Sequence, residues 1–168
     1  RQRQMCIRDS IYPLSTMKVV HLSDIHIADQ GKVIWDTDTK RHFDNVIEKL
    51  RALDDIDAII VSGDPSNDGS EWSYKYIDES LANLGIPTYC CPGNHDNLEI
   101  FYNGYKPVFY KTCSTFKLDK WTFVMLNSAI PDMSRGYFNP DLLSAVLASI
   151  NEPVAIAVSY THLRAHET

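Results

Sequence analysis

The chain has 168 residues, 44% of them hydrophobic and 23% charged, with 16 Lys and Arg against 22 Asp and Glu and a formal net charge of -6. That suits one domain with a real core, and an acidic chain without a basic block is a poor non-specific nucleic-acid binder. No apolar run reaches membrane-spanning length, and 7 Gly and 8 Pro are too few for a collagenous or disordered chain. The four cysteines hold no CxxC pair, and Cys90 and Cys91 are neighbours, which rarely bridge each other. Reduced thiols in a cytoplasmic protein are therefore expected.

In chain order, residues 1–10 match nothing in the pattern that follows. They are related to residues 158–168 through the genetic code. Gln4 to Asp9 can be encoded by a stretch whose reverse complement, read in another frame, encodes residues 158–163. Such an inverted repeat resembles a transposon adapter of sequencing libraries. Both segments are expected to be artefacts, which leaves 11–157 as an incomplete domain, with Met17 as a possible start.

Residues 18–22 form a short β-branched run that ends at Ser23-Asp24 and reads as a buried strand. Phe43, Val46, Ile47, Leu50 and Leu53 recur at helical spacing, with Thr37 or Asp38 as N-cap. A second strand spans 57–62 and ends at Gly63-Asp64. Ser70 and Ser73 open a second helix, with Ile77, Leu81 and Leu84 on its apolar face and Gly85 as its stop. A third strand, 86–91, ends at Gly93-Asn94-His95-Asp96. This alternation predicts parallel βαβ units. Residues 114–118 and 121–127 then flank Asp119-Lys120 as a hairpin. Residues 139–150 read as a helix capped by Asn139 with Pro140 in its first turn, and 153–157 as another strand.

Functional groups of open α/β sheets gather at the carboxyl ends of strands. Here three consecutive strands end in Asp24-x-His26, Gly63-Asp64 and Gly93-Asn94-His95-Asp96. Together they offer carboxylates, imidazoles and a carboxamide at one sheet edge. Mixed oxygen and nitrogen donors suit Mn, Fe, Zn or similar divalent ions. Taken singly, Asp24, Asp64 and Asn94 could be ordinary turn or cap residues. All three in order, beside His26 and His95, favour metal ligation.

These blocks, with Pro65 to Gly69 after Asp64, resemble the first three motifs of the calcineurin-like metallophosphoesterases. The phrases at Trp35-Asp36-Thr37, Gly69-Ser70 and Leu126-Asn127-Ser128 look closest to bacterial cyclic-nucleotide phosphodiesterases. The resemblance implies an α/β fold of sandwich type, the N-terminal part of a four-layer β-sandwich flanked by helices. It implies two divalent metal ions and hydrolysis of a small phosphodiester, such as a 3',5'-cyclic nucleotide, by metal-activated hydroxide. Asp24 and His26 would hold the first metal, Asp64 would bridge both, and Asn94 would bind the second. His95 would protonate the leaving alkoxide, with Asp96 orienting it. The family's later ligands, a further histidine and a Gly-His-x-His block, are not among these residues. His162 and His166 are rejected as replacements because both are adapter-encoded. The 168 residues alone are thus expected to bind metal weakly and turn over little.

Pro65 departs from the family's aliphatic residue and removes a backbone donor beside Asp64. His21, facing a helix, and His42, on a helix surface, read as structural. Asn67 is expected to fix its loop through side-chain-to-backbone bonds. Trp35, Trp72, Tyr102, Tyr105 and Phe109 could wall a nucleotide pocket, with packing the preferred reading. A nuclease or nucleotidase of the same superfamily, or a non-catalytic scaffold, are the rivals, and the intact motif residues argue against the scaffold.

Overall fold

The computed structural model describes residues 17–104, 107, 110–111, 115–130, 133 and 135–158. Expectations that concern 1–16, Tyr105, Phe109, Cys113, Ser114, His162 or His166 lie outside the described residues.

The first half alternates as expected: β1 (Val19–Leu22), α1 (Thr39–Arg51), β2 (Ala58–Ser62), α2 (Glu71–Ala82) and β3 (Thr88–Cys91). All three strands pair in parallel, with Val20 opposite Ile59 and Ile59 opposite Thr88. A two-residue strand, β4 (Tyr110–Lys111), extends the sheet beyond β3 in the order β1-β2-β3-β4. The helices begin where side chains can satisfy free backbone donors. Asp38 accepts from the Arg41 N–H at 2.8 Å, and Ser70 accepts from the Ser73 N–H at 3.3 Å. Gly85, at φ +68, follows the end of α2 in a conformation that glycine adopts without strain.

A second sheet follows. β5 (Thr115–Leu118) and β6 (Trp121–Leu126) form the expected hairpin, turning at Asp119. α3 (Pro140–Ala148) crosses over to β7 (Val154–Val158), which runs parallel to β6. Asn139 caps α3 by accepting from the N–H groups of Asp141 and Leu142.

The two-residue period of β2 sorts the core into two layers. Ile59 and Val61 point to α1 and α2, where Phe43, Ile47, Leu50, Tyr74, Ile77 and Leu81 are buried with Cys90. Ile60 points the other way and packs with Cys91, Phe116, Phe123 and Met125 against the second sheet. The rings of Tyr89, Phe116 and Phe123 stack through this second layer, with interplanar angles of 2° and 6°. The fold is thus mixed α/β, with helices on one face of a parallel sheet and a second sheet on the other. α3 borders a cavity of about 430 Å³ beside β6 and has no buried residue.

His21 alternates with Val20 and Leu22, which pack into the helical layer, so its ring turns away from the helices. It is exposed and shares a hydrogen bond with the Ser62 hydroxyl on the neighbouring strand. His42 is exposed on α1, as expected.

Phe123→Ala is expected to cost about 3–5 kcal/mol in urea unfolding, because it empties the centre of the inter-sheet layer. Leu142→Ala, at a side chain 64% exposed on α3, is expected to stay within about 0.5 kcal/mol.

Candidate metal centre

The parallel pairing does not stop where the strands do. The N–H groups of Asp24, His26 and Ile27 donate to the carbonyls of Gly63, Asp64 and Pro65 at 3.1, 2.9 and 3.0 Å. The Asn67 N–H then returns to the Ile27 carbonyl at 2.9 Å, and the Gly63 N–H reaches Cys91 of β3 at 3.0 Å. The loops after β1 and β2 are therefore zipped to each other beyond the sheet edge. Pro65 fits because this zipper uses its carbonyl, and the donor that proline lacks is not called upon.

The zipper brings Asp24, His26 and Asp64 together, with one ligand atom of each within 4.8 Å of the others. All three occupy the left-handed region, at φ 52, 51 and 46. Such backbone is uncommon outside glycine and typically costs about 1–3 kcal/mol per residue. Asp24 is exposed, His26 half-buried and Asp64 3% exposed.

The loop after β3 closes on the same point. The His95 N–H donates to Asp64 Oδ1 at 2.8 Å. The His95 ring stands edge-on to that of His26, with centroids 4.8 Å apart. Asn94 is half-buried in the same turn. Gly93 is required by close approach: a Cβ there would fall on Oδ1 and the backbone N of Asp64, well inside contact distance.

Asp96 is 4% exposed, and its carboxylate meets backbone and phenol donors of the surrounding loops and α2. It accepts from the N–H groups of Gly93 at 2.7 Å and Ser66 at 3.1 Å, and from the Tyr74 hydroxyl at 3.0 Å. Burial pushes its pKa up to about 7 against the pull of these donors. The Tyr74 oxygen also accepts from the Asn97 N–H at 3.0 Å. One buried carboxylate and one buried phenol on α2 thus clamp two of the ligand loops together. Helical spacing marks Tyr74 only as core. The available signal is that a buried tyrosine needs a partner for its hydroxyl.

The expected role of Asn67 falls to its neighbours. Its Oδ1 is buried without a hydrogen-bond partner. Ser66 Oγ instead accepts from the Gly69 N–H at 2.9 Å, and Asp68 accepts from the N–H groups of Ser70 and Asp29.

The donor set fits a divalent cation. Among the described residues, neither Asp24 nor Asp64 has a Lys or Arg ion-pair partner, so two carboxylates lie close with only a histidine between them. The Nδ1 atom of His26 is buried with no hydrogen-bond partner. A hard, doubly charged ion between the carboxylates and His26 Nε2, which lies 3.9 Å from Asp24 Oδ1, would offset the paired negative charge.

Three parallel strands of a mixed α/β fold thus bring their end loops together at one cluster of candidate metal ligands. The calcineurin-like phosphoesterase family matches residues 17–162, and the chain belongs to that family. Its members use divalent metals. The chain is 32% identical over 155 residues to a probable cyclic nucleotide phosphodiesterase of Xenorhabdus bovienii, covering 87% of this chain and 63% of that protein. It is 29% identical to a 3',5'-cyclic-nucleotide phosphodiesterase of a Nostoc species, covering 88% and 58%. Over a shorter stretch it is 36% identical to a probable glycerophosphodiester phosphodiesterase of Arcobacter nitrofigilis, covering 49% and 31%. The chain thus spans about three fifths of the length of the first two relatives. Among the described residues, no helix is long and apolar enough to cross a membrane.

Tyr74→Phe keeps the ring and removes the clamp, leaving Asp96 and the Asn97 N–H short of a partner. A loss of about 1–3 kcal/mol in urea unfolding is expected. Gly93→Ala is expected to weaken Mn²⁺ binding by at least about tenfold in titration calorimetry, because the new methyl displaces the Asp64 carboxylate.

Proposed function

We propose that the protein hydrolyses phosphodiesters with two divalent ions, Mn, Fe or Zn, and that 3',5'-cyclic nucleotides are its substrates. The observation that carries this reading is the convergence of Asp24, His26 and Asp64, each in a left-handed conformation, at the end of a parallel sheet. Asp24 and His26 would hold the first ion, with Asp64 shared between the two and Asn94 serving the second and a phosphate oxygen. When bound, the ions supply Lewis acidity and charge neutralisation for the phosphoryl group. The protein's own work is placement and proton transfer. His95, held by its backbone bond to Asp64 Oδ1, gives a proton to the ester oxygen that leaves as water attacks phosphorus, and the proton that this water sheds passes to solvent, from which His95 is reprotonated. Asp96 keeps the His95 turn in place through Gly93 and Ser66.

The names of the Xenorhabdus and Nostoc relatives support the cyclic-nucleotide reading. The Arcobacter relative supports a second one, in which the diester is a glycerophosphodiester. The buried thiol of Cys90 is in keeping with a reducing cytoplasm.

Mn²⁺ titration tests the site. Asp64→Ala and Asp24→Ala are each expected to lower affinity by at least about tenfold, whereas His21→Ala stays within about twofold. Equal affinity in Asp64→Ala and the parent sequence would remove the proposed ligand role. Hydrolysis of cyclic AMP by the whole protein is expected to be lost in Asn94→Ala and retained in His21→Ala.

A further inference from the structure

Trp35 is the largest side chain left in the open beside the metal cluster, 77% exposed. Its indole stands edge-on to His26, with centroids 6.1 Å apart, and edge-on to His95, at 6.4 Å. The turn that presents it is closed on both sides. The Ile34 N–H donates to the Thr37 carbonyl at 3.0 Å, and the Thr37 N–H donates back to the Ile34 carbonyl at 2.8 Å. The two residues between them, Trp35 and Asp36, have φ of 47 and 59. Two consecutive positive φ values are the mark of a type I′ turn, which normally selects Asn, Asp or Gly. A bulky aromatic in that position is an outlier, and no core packing compensates for it. The two backbone hydrogen bonds between Ile34 and Thr37 hold the turn, and the indole with it, next to His26 and His95.

The other described aromatics nominated from sequence are engaged elsewhere. Trp72 stacks on Tyr76 with an interplanar angle of 4°, and the Tyr102 hydroxyl meets Asn127.

We infer that Trp35 is the platform on which the base of a nucleotide substrate stacks while its phosphate sits at Asp24, His26 and Asp64. The inference rests on the phosphoesterase reading of the same site and adds its specificity. One ribose separates base from phosphate in a nucleotide, so the base must land close to the ligand cluster, where the indole stands. Every nucleobase has a face that stacks on an aromatic ring, so the platform favours nucleotides as a class over diesters without a base.

The test compares cyclic AMP with glycerophosphocholine, a diester that lacks a base, by titration calorimetry on the Mn²⁺-loaded chain. The parent sequence is expected to bind cyclic AMP at least about fivefold more tightly than glycerophosphocholine. W35A is expected to lose about five- to tenfold on cyclic AMP and to hold glycerophosphocholine and Mn²⁺ within about twofold, while W35F keeps most of the preference. Unchanged cyclic AMP affinity in W35A overturns the inference, as does an equal loss on both ligands. Absence of any preference in the parent sequence, or of cyclic AMP binding with Mn²⁺ bound, overturns it too and leaves the metal site standing. Mn²⁺ binding that ignores Asp64→Ala is a separate failure, of the phosphoesterase reading.

Discussion

Everything at the site depends on the parallel ladder running on past the ends of the strands. Regular pairing of β1 with β2 ends at Leu22 and Val61, yet the N–H groups of Asp24, His26 and Ile27 continue to find carbonyls on the adjacent loop. That continuation places Asp24 and His26 from one loop against Asp64 from the next. It also makes Asp64 the junction. Its carbonyl accepts from His26, and its carboxylate accepts from His95.

A buried carboxylate beside a second carboxylate is unfavourable without a cation, and left-handed backbone at three non-glycine residues is unfavourable in itself. The surrounding structure over-determines both. Gly93 leaves room for Asp64 where a methyl group would not, and Asp96 with Tyr74 fixes the loops on either side. The anchor for that pair is α2, whose Ile77 and Leu81 sit in the helical core layer. Core packing, loop position and ligand geometry therefore form one connected chain of contacts. A substitution well away from the cluster, such as at Tyr74, reaches it through two hydrogen bonds.

Much of this was legible in the residues. The strand ends at Asp24, Asp64 and Gly93, the caps at Asp38, Ser70 and Asn139, and the hairpin at Asp119 follow from local chemistry, and the structure agrees with each. Pairing between distant segments is not local. The parallel union of β6 with β7 and the stacking of the two sheets depend on tertiary packing that periodicity does not encode. β4 is too short to carry a pattern. At the site, Tyr74 is hidden because an apolar-face tyrosine looks like core. The turn at Trp35 is hidden because neither of its central residues is glycine or asparagine. Asn67 shows the opposite failure: a residue with the right chemistry for pinning a loop leaves that work to Ser66 and Asp68.

The most direct measurement is anomalous diffraction at the manganese edge from crystals of this chain grown with Mn²⁺. The account predicts a peak within coordination distance of Asp24, His26 and Asp64, with the His95 backbone still bonded to the Asp64 carboxylate. Manganese bound elsewhere with that cluster empty, or an Asp64 side chain turned away from His26, contradicts it.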